Sequence, residues 1–209
     1  MLLYLVRHGQ TEANKARILD QEAGPLSDEG RESARKLANR LAHEQIDELM
    51  SSDYQRAMET AHIISEKLKL KIVQNKLARE QRIPSSMVGK PQDNGPFVKE
   101  YGLQVNQHVH DPKWHFEDEE NTAELLARAR AFLDDISKLK IDHVCVVTHR
   151  GLLRYLAAAV LLGDSAKPEV VRINFRPKID HSNTAISVFE YTKEKGWCLI
   201  TWNDQAHLG

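Results

Sequence analysis

The chain has 209 residues, with 29 Lys+Arg against 30 Asp+Glu and a formal net charge of -1. That length suits one α/β domain with a continuous core, and the balanced charge excludes a global field drawing it to nucleic acid or an anionic membrane surface. The apolar opening, residues 1–6, is too short for a signal-peptide core and no other stretch spans a bilayer; Cys145 and Cys198 form no CxxC motif, so two free core thiols in a reducing, cytoplasmic setting are expected.

Residues 2–6 (LLYLV) form a continuous apolar run of strand length that stops at a glycine-containing turn, which predicts a buried strand with Arg7 and His8 at its carboxyl end. Ser27 is the expected N-cap of a helix over 28–41, because Ala34, Leu37, Ala38 and Leu41 recur at helical spacing. A short strand at 48–51 follows. From Asp53, an acidic N-cap with Ala57, Ala61, Ile64 and Leu68 on one stripe predicts a second helix, with Arg56 in its first turn. A cation there opposes the helix dipole, an arrangement better explained by an anion it serves. Residues 71–73 read as a brief strand.

Between 84 and 120 the pattern breaks into Pro, Gly, polar and aromatic residues, a stretch too long for an ordinary connection and read as a cap over a site. Order returns where Asn121 and Glu124 make a capping pattern ahead of Leu125, Leu126, Ala129, Phe132, Leu133 and Ile136. Residues 144–147 form a second buried strand ending at Thr148 and His149, with a helix over 152–162 behind it. Strands at 185–191 and 197–202, joined by the polar turn at 193–196, close the chain. The alternation implies a three-layer α/β/α fold with a mostly parallel central sheet, one domain over 1–209, and the cap as a small insertion. Ligands of such sheets bind beyond the carboxyl ends of the strands, the edge that holds both histidines.

The ordered segments LVRHGQTEAN (5–14), LSDEGRESARKLANRL (26–41), SSDYQRAMETAHII (51–64), LARE (77–80) and VVTHRG (146–151) resemble the histidine phosphatase superfamily, also called the phosphoglycerate mutase-like family. The resemblance covers most of the chain and is weak only in the cap. It implies that His8 attacks phosphorus and carries the phosphoryl group, that Arg7, Arg56, Asn14 and the second histidine, His149, hold the phosphate oxygens, and that Glu80 gives the leaving alkoxide its proton. Attack requires a neutral imidazole, and the cations of Arg7 and Arg56 disfavour protonation of His8. Glu12 and Glu120 stay open as alternative acids.

Three departures from the family pattern stand out. Arg150 occupies the position after the second histidine where glycine is usual, so it either crowds the pocket or adds a cation for a second anionic group. Glu119-Glu120-Asn121 replaces Gly-Glu-Ser, leaving Asn121 able to cap the helix and to offer an amide to phosphate. Residues 81–89 lack the usual Gly-x-Trp-Glu-Gly spacing.

His108 and His110 alternate along a stretch read as extended, but no third ligand at a metal-binding spacing accompanies them. Trp114, His115 and Phe116 suit either stacking on a substrate ring or packing of the cap, and Asn203, Asp204 and His207 resemble a family ending that supports the site. The resemblance therefore implies a metal-independent and cofactor-independent phosphomonoesterase acting on a small phosphate ester. The rivals are a phosphoglycerate mutase using the same residues and a non-catalytic phosphate-binding module. Self-association stays open, and neither nucleic acid nor membrane is an expected partner.

Overall fold

The computed structural model describes residues 1–21, 24–92 and 95–209, so positions 93 and 94 of the expected cap lie outside it. Its strands are β1 Leu2–Arg7, β2 Glu48–Ser51, β3 Ile72–Gln74, β4 His143–Thr148, β5 Ile186–Thr192 and β6 Gly196–Asp204. They join in one sheet, ordered β3-β2-β4-β1-β5-β6. The pairs β1–β4, β2–β4 and β2–β3 are parallel, while β5 and β6 add an antiparallel edge.

The helices are α1 Glu12–Lys15, α2 Asp28–Leu41, α3 Gln55–Leu68, α4 Pro96–His108, α5 Thr122–Ser137 and α6 Arg150–Leu162. The central strands read as unbroken apolar runs because both sheet faces are covered. Tyr4, Val6, Cys145 and Val147 pack with Leu37, Ala57 and Ile64 of α2 and α3. Their neighbours Leu3, Leu5, Val144 and Val146 point the other way, into Leu125, Phe132, Leu152 and Leu156 of α5 and α6. None of these helices is long and apolar enough to cross a membrane.

The expected caps hold for α2, where the Ser27 side chain accepts from Gly30 N–H, and for α5, where Asn121 and Glu124 complete a reciprocal capping box. The start of α3 differs. Tyr54 stands at its N-cap with no side-chain cap bond, because the Asp53 carboxylate is taken by Arg79, whose Nε donates to it at 2.6 Å. Residues 96–108 are helical rather than extended, which removes the alternation of His108 and His110. His108 stacks on Trp114 with ring centroids 4.5 Å apart, and His110 is exposed in the turn beyond the helix. Cys145 is buried, and its thiol is pushed up to about 12 by burial; Cys198 is only half-buried on β6, so one thiol rather than two belongs to the core.

What positions the site is the β1–β4 pair. The chain leaves β1 toward α2 on one face and leaves β4 toward α6 on the other, opening a crevice at the carboxyl ends of two adjacent strands. The ladder continues one step past it: His8 N–H donates to the Thr148 carbonyl at 3.0 Å, which sets His8 beside His149.

Candidate active site

Backbone contacts fix His8 before its side chain acts. Its carbonyl accepts from Asn183 Nδ2 at 2.9 Å, and the next N–H, of Gly9, donates to Thr60 Oγ1 at 2.9 Å. His8 Nδ1 lies 2.7 Å from the Gly9 carbonyl oxygen, which can only accept, so Nδ1 carries the proton. The lone pair is therefore on Nε2, where Arg56 Nε donates at 3.2 Å. Burial first, then Arg56 and Arg7, hold the imidazole well below the ordinary histidine range and keep it neutral. An unprotonated ring nitrogen among cations is the state a nucleophile toward phosphate requires.

Arg56 and Arg7 are themselves buried, at 4% and 9% exposure. Arg56 Nη1 donates to the Gln21 carbonyl at 2.7 Å and stands 3.9 Å from Asp20. Arg7 Nη1 donates to the His181 carbonyl at 2.6 Å, while its Nε is buried with no partner. Burial, and then Arg150, push Arg7 down to about 9, which leaves it cationic at neutral pH.

His149 sits one layer deeper than the sequence suggested. Its ring centroid is 5.1 Å from that of His8, but the residue is fully buried and does not line the open cavity. Ser52 Oγ is 2.9 Å from its Nε2, and its Nδ1 is buried with no hydrogen-bond partner.

Glu80 faces the same cavity from the turn after β3. Its Oε1 accepts from the N–H groups of Gln81 at 2.8 Å and Leu152 at 3.2 Å, and its Oε2 from Gly151 N–H at 3.0 Å. The alternative acids are placed elsewhere. Glu120 is gripped by Arg128, with Nε to Oε1 at 2.6 Å and Nη2 to Oε2 at 2.6 Å, and Glu12 is exposed at the start of α1. Arg128 also donates to the carbonyls of Leu77 and Arg79, and so holds the backbone that delivers Glu80.

Asn14 lines the cavity, with its Oδ1 accepting from Asn183 Nδ2 at 3.2 Å. Arg150 lines it too, half-buried and 3.9 Å from Asp180. Asn121 does not: its Nδ2 donates to the carbonyls of Pro112 and Trp114, so the amide expected to reach phosphate ties down the segment before α5 instead. Trp114 and Phe116 pack within the cap, Phe116 lying edge-on to Tyr101 with centroids 5.2 Å apart. Asn203 accepts from Ser182 N–H at 2.7 Å and so braces the loop that touches Arg7 and His8, whereas Asp204 and His207 make no contact with the cavity.

Sequence reasoning missed Asn183, His181, Ser52, Thr60, Arg154 and Arg176. Ser52 and Thr60 lie inside the quoted segment 51–64 without being singled out, Arg154 carried only the i,i+4 repeat with Arg150, and Asn183, His181 and Arg176 belong to no motif. The cavity holds about 120 Å³, against the roughly 10–15 Å³ that one water needs, so it fits a small molecule. Five arginines line it against the carboxylates of Asp20 and Glu80. Chemically it is an anion trap with a neutral imidazole on one wall and a carboxyl group on another.

The histidine phosphatase superfamily (branch 1) profile matches residues 3–205. Phosphoglycerate mutase-like protein 4 of Arabidopsis thaliana is 30% identical over 210 residues, covering 99% of this chain and 86% of that protein. Probable phosphoglycerate mutase GpmB of Yersinia pestis is 28% identical, covering 99% and 94%. A mycobacterial glucosyl-3-phosphoglycerate phosphatase, solved as a complex with VO3, has the same fold, with a TM-score of 0.78, 24% identity, and 97% and 98% of the two chains covered. The Arg-His-Gly segment after β1, the second histidine after β4 and the match over nearly the whole length agree, and the chain belongs to the histidine phosphatase superfamily, branch 1.

Proposed function

We propose that the protein is a metal-independent phosphomonoesterase that hydrolyses a small phosphate ester through a phosphohistidine on His8. The observation that carries this reading is the hydrogen bond from His8 Nδ1 to the Gly9 carbonyl, which leaves a lone pair on Nε2 inside a cavity walled by guanidiniums. An ester phosphate binds between Arg7, Arg56 and Asn14, and Arg56 turns its donor from His8 Nε2 to a phosphate oxygen. Nε2 attacks phosphorus, the P–O ester bond breaks, and protonated Glu80 gives its proton to the leaving alkoxide. His149 Nδ1 supplies a further contact to the phosphoryl oxygens as negative charge shifts in the transition state. The Glu80 carboxylate then takes a proton from water, hydroxide attacks phosphorus, the P–N bond breaks, and inorganic phosphate leaves. Guanidiniums supply the positive charge, so no step calls for a metal.

The chain is read as one domain in which residues 84–120 form the cap that selects among esters, and the two free thiols accord with a cytoplasmic setting. The phosphatase in the comparison favours hydrolysis; the two relatives with mutase names favour a second reading, phosphoglycerate mutase. Measuring phosphate release from an ester panel beside interconversion of 2- and 3-phosphoglycerate separates them. Hydrolysis is expected, with acid-labile phosphate trapped on His8. Mutase turnover without release gives the second reading, and full turnover by His8→Ala overturns both.

A further inference from the structure

We propose that Arg150, Arg154 and Arg176 form a second anion subsite, which reads a carboxylate or a second phosphate on the ester whose first phosphate lies at His8. The inference rests on the phosphate-site reading above and names the substrate class for it: small esters with two anionic groups.

Arg150 and Arg154 stand four residues apart on one face of α6, where like charges repel, and Arg150 opens the helix, where the backbone dipole also disfavours a cation. Local helix chemistry therefore gives no reason for this pair. Arg176 arrives from a different segment, the irregular run between α6 and β5, and lines the same cavity as both of them and as His8.

Their compensation is incomplete. Asp180 accepts from Arg154 Nη2 at 2.7 Å and stands 3.9 Å from Arg150, and it is the one carboxylate in ion-pair reach of either among the described residues. Arg176 makes no ion pair among the described residues. The Nε atoms of Arg154 and Arg176 are buried with no hydrogen-bond partner, a state that native structures avoid unless something else satisfies the donor. Burial, then Arg150 and Arg176, pull Arg154 below the ordinary arginine range, as expected of cations crowded together without enough anions.

Counting charge completes the argument. Five guanidiniums line the cavity, and a phosphate dianion with the carboxylates of Asp20 and Asp180 supplies four negative charges while Glu80 holds its proton, which leaves one positive charge unmatched beside Arg150, Arg154 and Arg176. An ester whose only anionic group is that phosphate leaves the surplus uncompensated. An ester with a second anion neutralises it and gives the orphaned Nε–H groups an acceptor, while Asp180 holds Arg154 oriented beforehand.

The test is binding, measured by titration calorimetry on the full chain with two matched ester pairs. Glycerol 3-phosphate against 3-phosphoglycerate isolates a carboxylate; fructose 6-phosphate against fructose 1,6-bisphosphate isolates a second phosphate. At least one pair should show a preference of about tenfold or more for the extra anion. Which pair shows it identifies the anion. The preference should fall to about twofold or less in Arg154→Gln and in Arg176→Gln; Arg176, in a three-residue 3-10 turn and without an ion pair among the described residues, keeps the test open should the Arg154 variant fail to fold. No preference in either pair, or a preference that survives in the Arg176 variant, overturns the proposal. Phosphate release is assayed separately: its absence for every ester counts against hydrolysis, while the binding ratios still decide the subsite.

Discussion

Glu80 occupies with its carboxyl group the space that a side chain at Gly151 would take. Glu80 Oε2 accepts from Gly151 N–H at 3.0 Å, and a Cβ placed on residue 151 would run into Glu80 Oε1. The requirement for glycine is therefore spatial: any side chain at 151 displaces the carboxyl group assigned as proton donor. Gly151→Ala should copy Glu80→Gln, lowering kcat/KM, which does not contain the later attack of water on phosphohistidine, by about 10²-fold or more on an alkyl phosphate, the lower range of lost general acid catalysis. A p-nitrophenyl ester, whose leaving group departs without a proton, should lose far less. Equal losses on both esters would show that Glu80 does not deliver the proton.

The pH profile follows from His8. Its imidazole is held well below its ordinary range by burial, with Arg56 the largest charge contribution, so the reactive neutral form persists at pH values where an exposed histidine is protonated. Replacing Arg56 with Gln removes that cation and raises the proton affinity of His8. The acid limb of kcat/KM should therefore move to higher pH in the variant. A limb that stays in place or moves to lower pH contradicts the assignment.

Stability should respond to acid in the same direction. His8, His149 and His181 are all held below their unfolded range, chiefly by burial, and His181 is pushed down to about 4. Below the unfolded value near 6.5 the unfolded chain takes up protons that the folded chain refuses, so stability present above pH 6.5 is lost as pH falls toward 4. For His181 alone the loss is on the order of 3 kcal/mol. Urea unfolding at pH 7, 6 and 5 should show the decline, and His181→Gln should make it shallower. An unchanged slope in that variant would remove His181 from the account.

Asn121 separates a structural role from a catalytic one. Its side chain caps α5 and ties down the Pro112 and Trp114 carbonyls, without lining the cavity. Asn121→Ala should cost about 1–2 kcal/mol and lower Tm, as loss of a cap does. kcat/KM should stay within about twofold of the parent, since no transition-state contact is removed. A large fall in kcat with little change in Tm would restore Asn121 to the phosphate site.

Much of this was readable before folding, and the reasons differ by element. The buried strands and the helix faces of α2 and α5 announce themselves because burial on both sheet faces and one-sided packing each impose a periodicity on the sequence. His8 and Arg56 could be read because the motif places them next to those elements. The α4 helix could not: Val105 is its one fully buried residue, so its stripe is faint, and it is held by aromatic contacts of Phe97 and Tyr101 with Phe116 across the chain. The error at Asp53 has the same origin, since its partner Arg79 is brought near only by the fold. Asn183 lies in a loop and Arg176 in a three-residue 3-10 turn, where no repeat marks a residue as facing inward.

The pairing of β1 with β4 makes neighbours of segments far apart along the polypeptide, Leu2 aligning with His143 and Arg7 with Thr148. No amino-terminal fragment, however long short of that second strand, can assemble the phosphate pocket. During synthesis His8 stays without its neighbour His149 until the chain has been made past β4, so a product terminated before that strand lacks the site altogether instead of holding a weakened one.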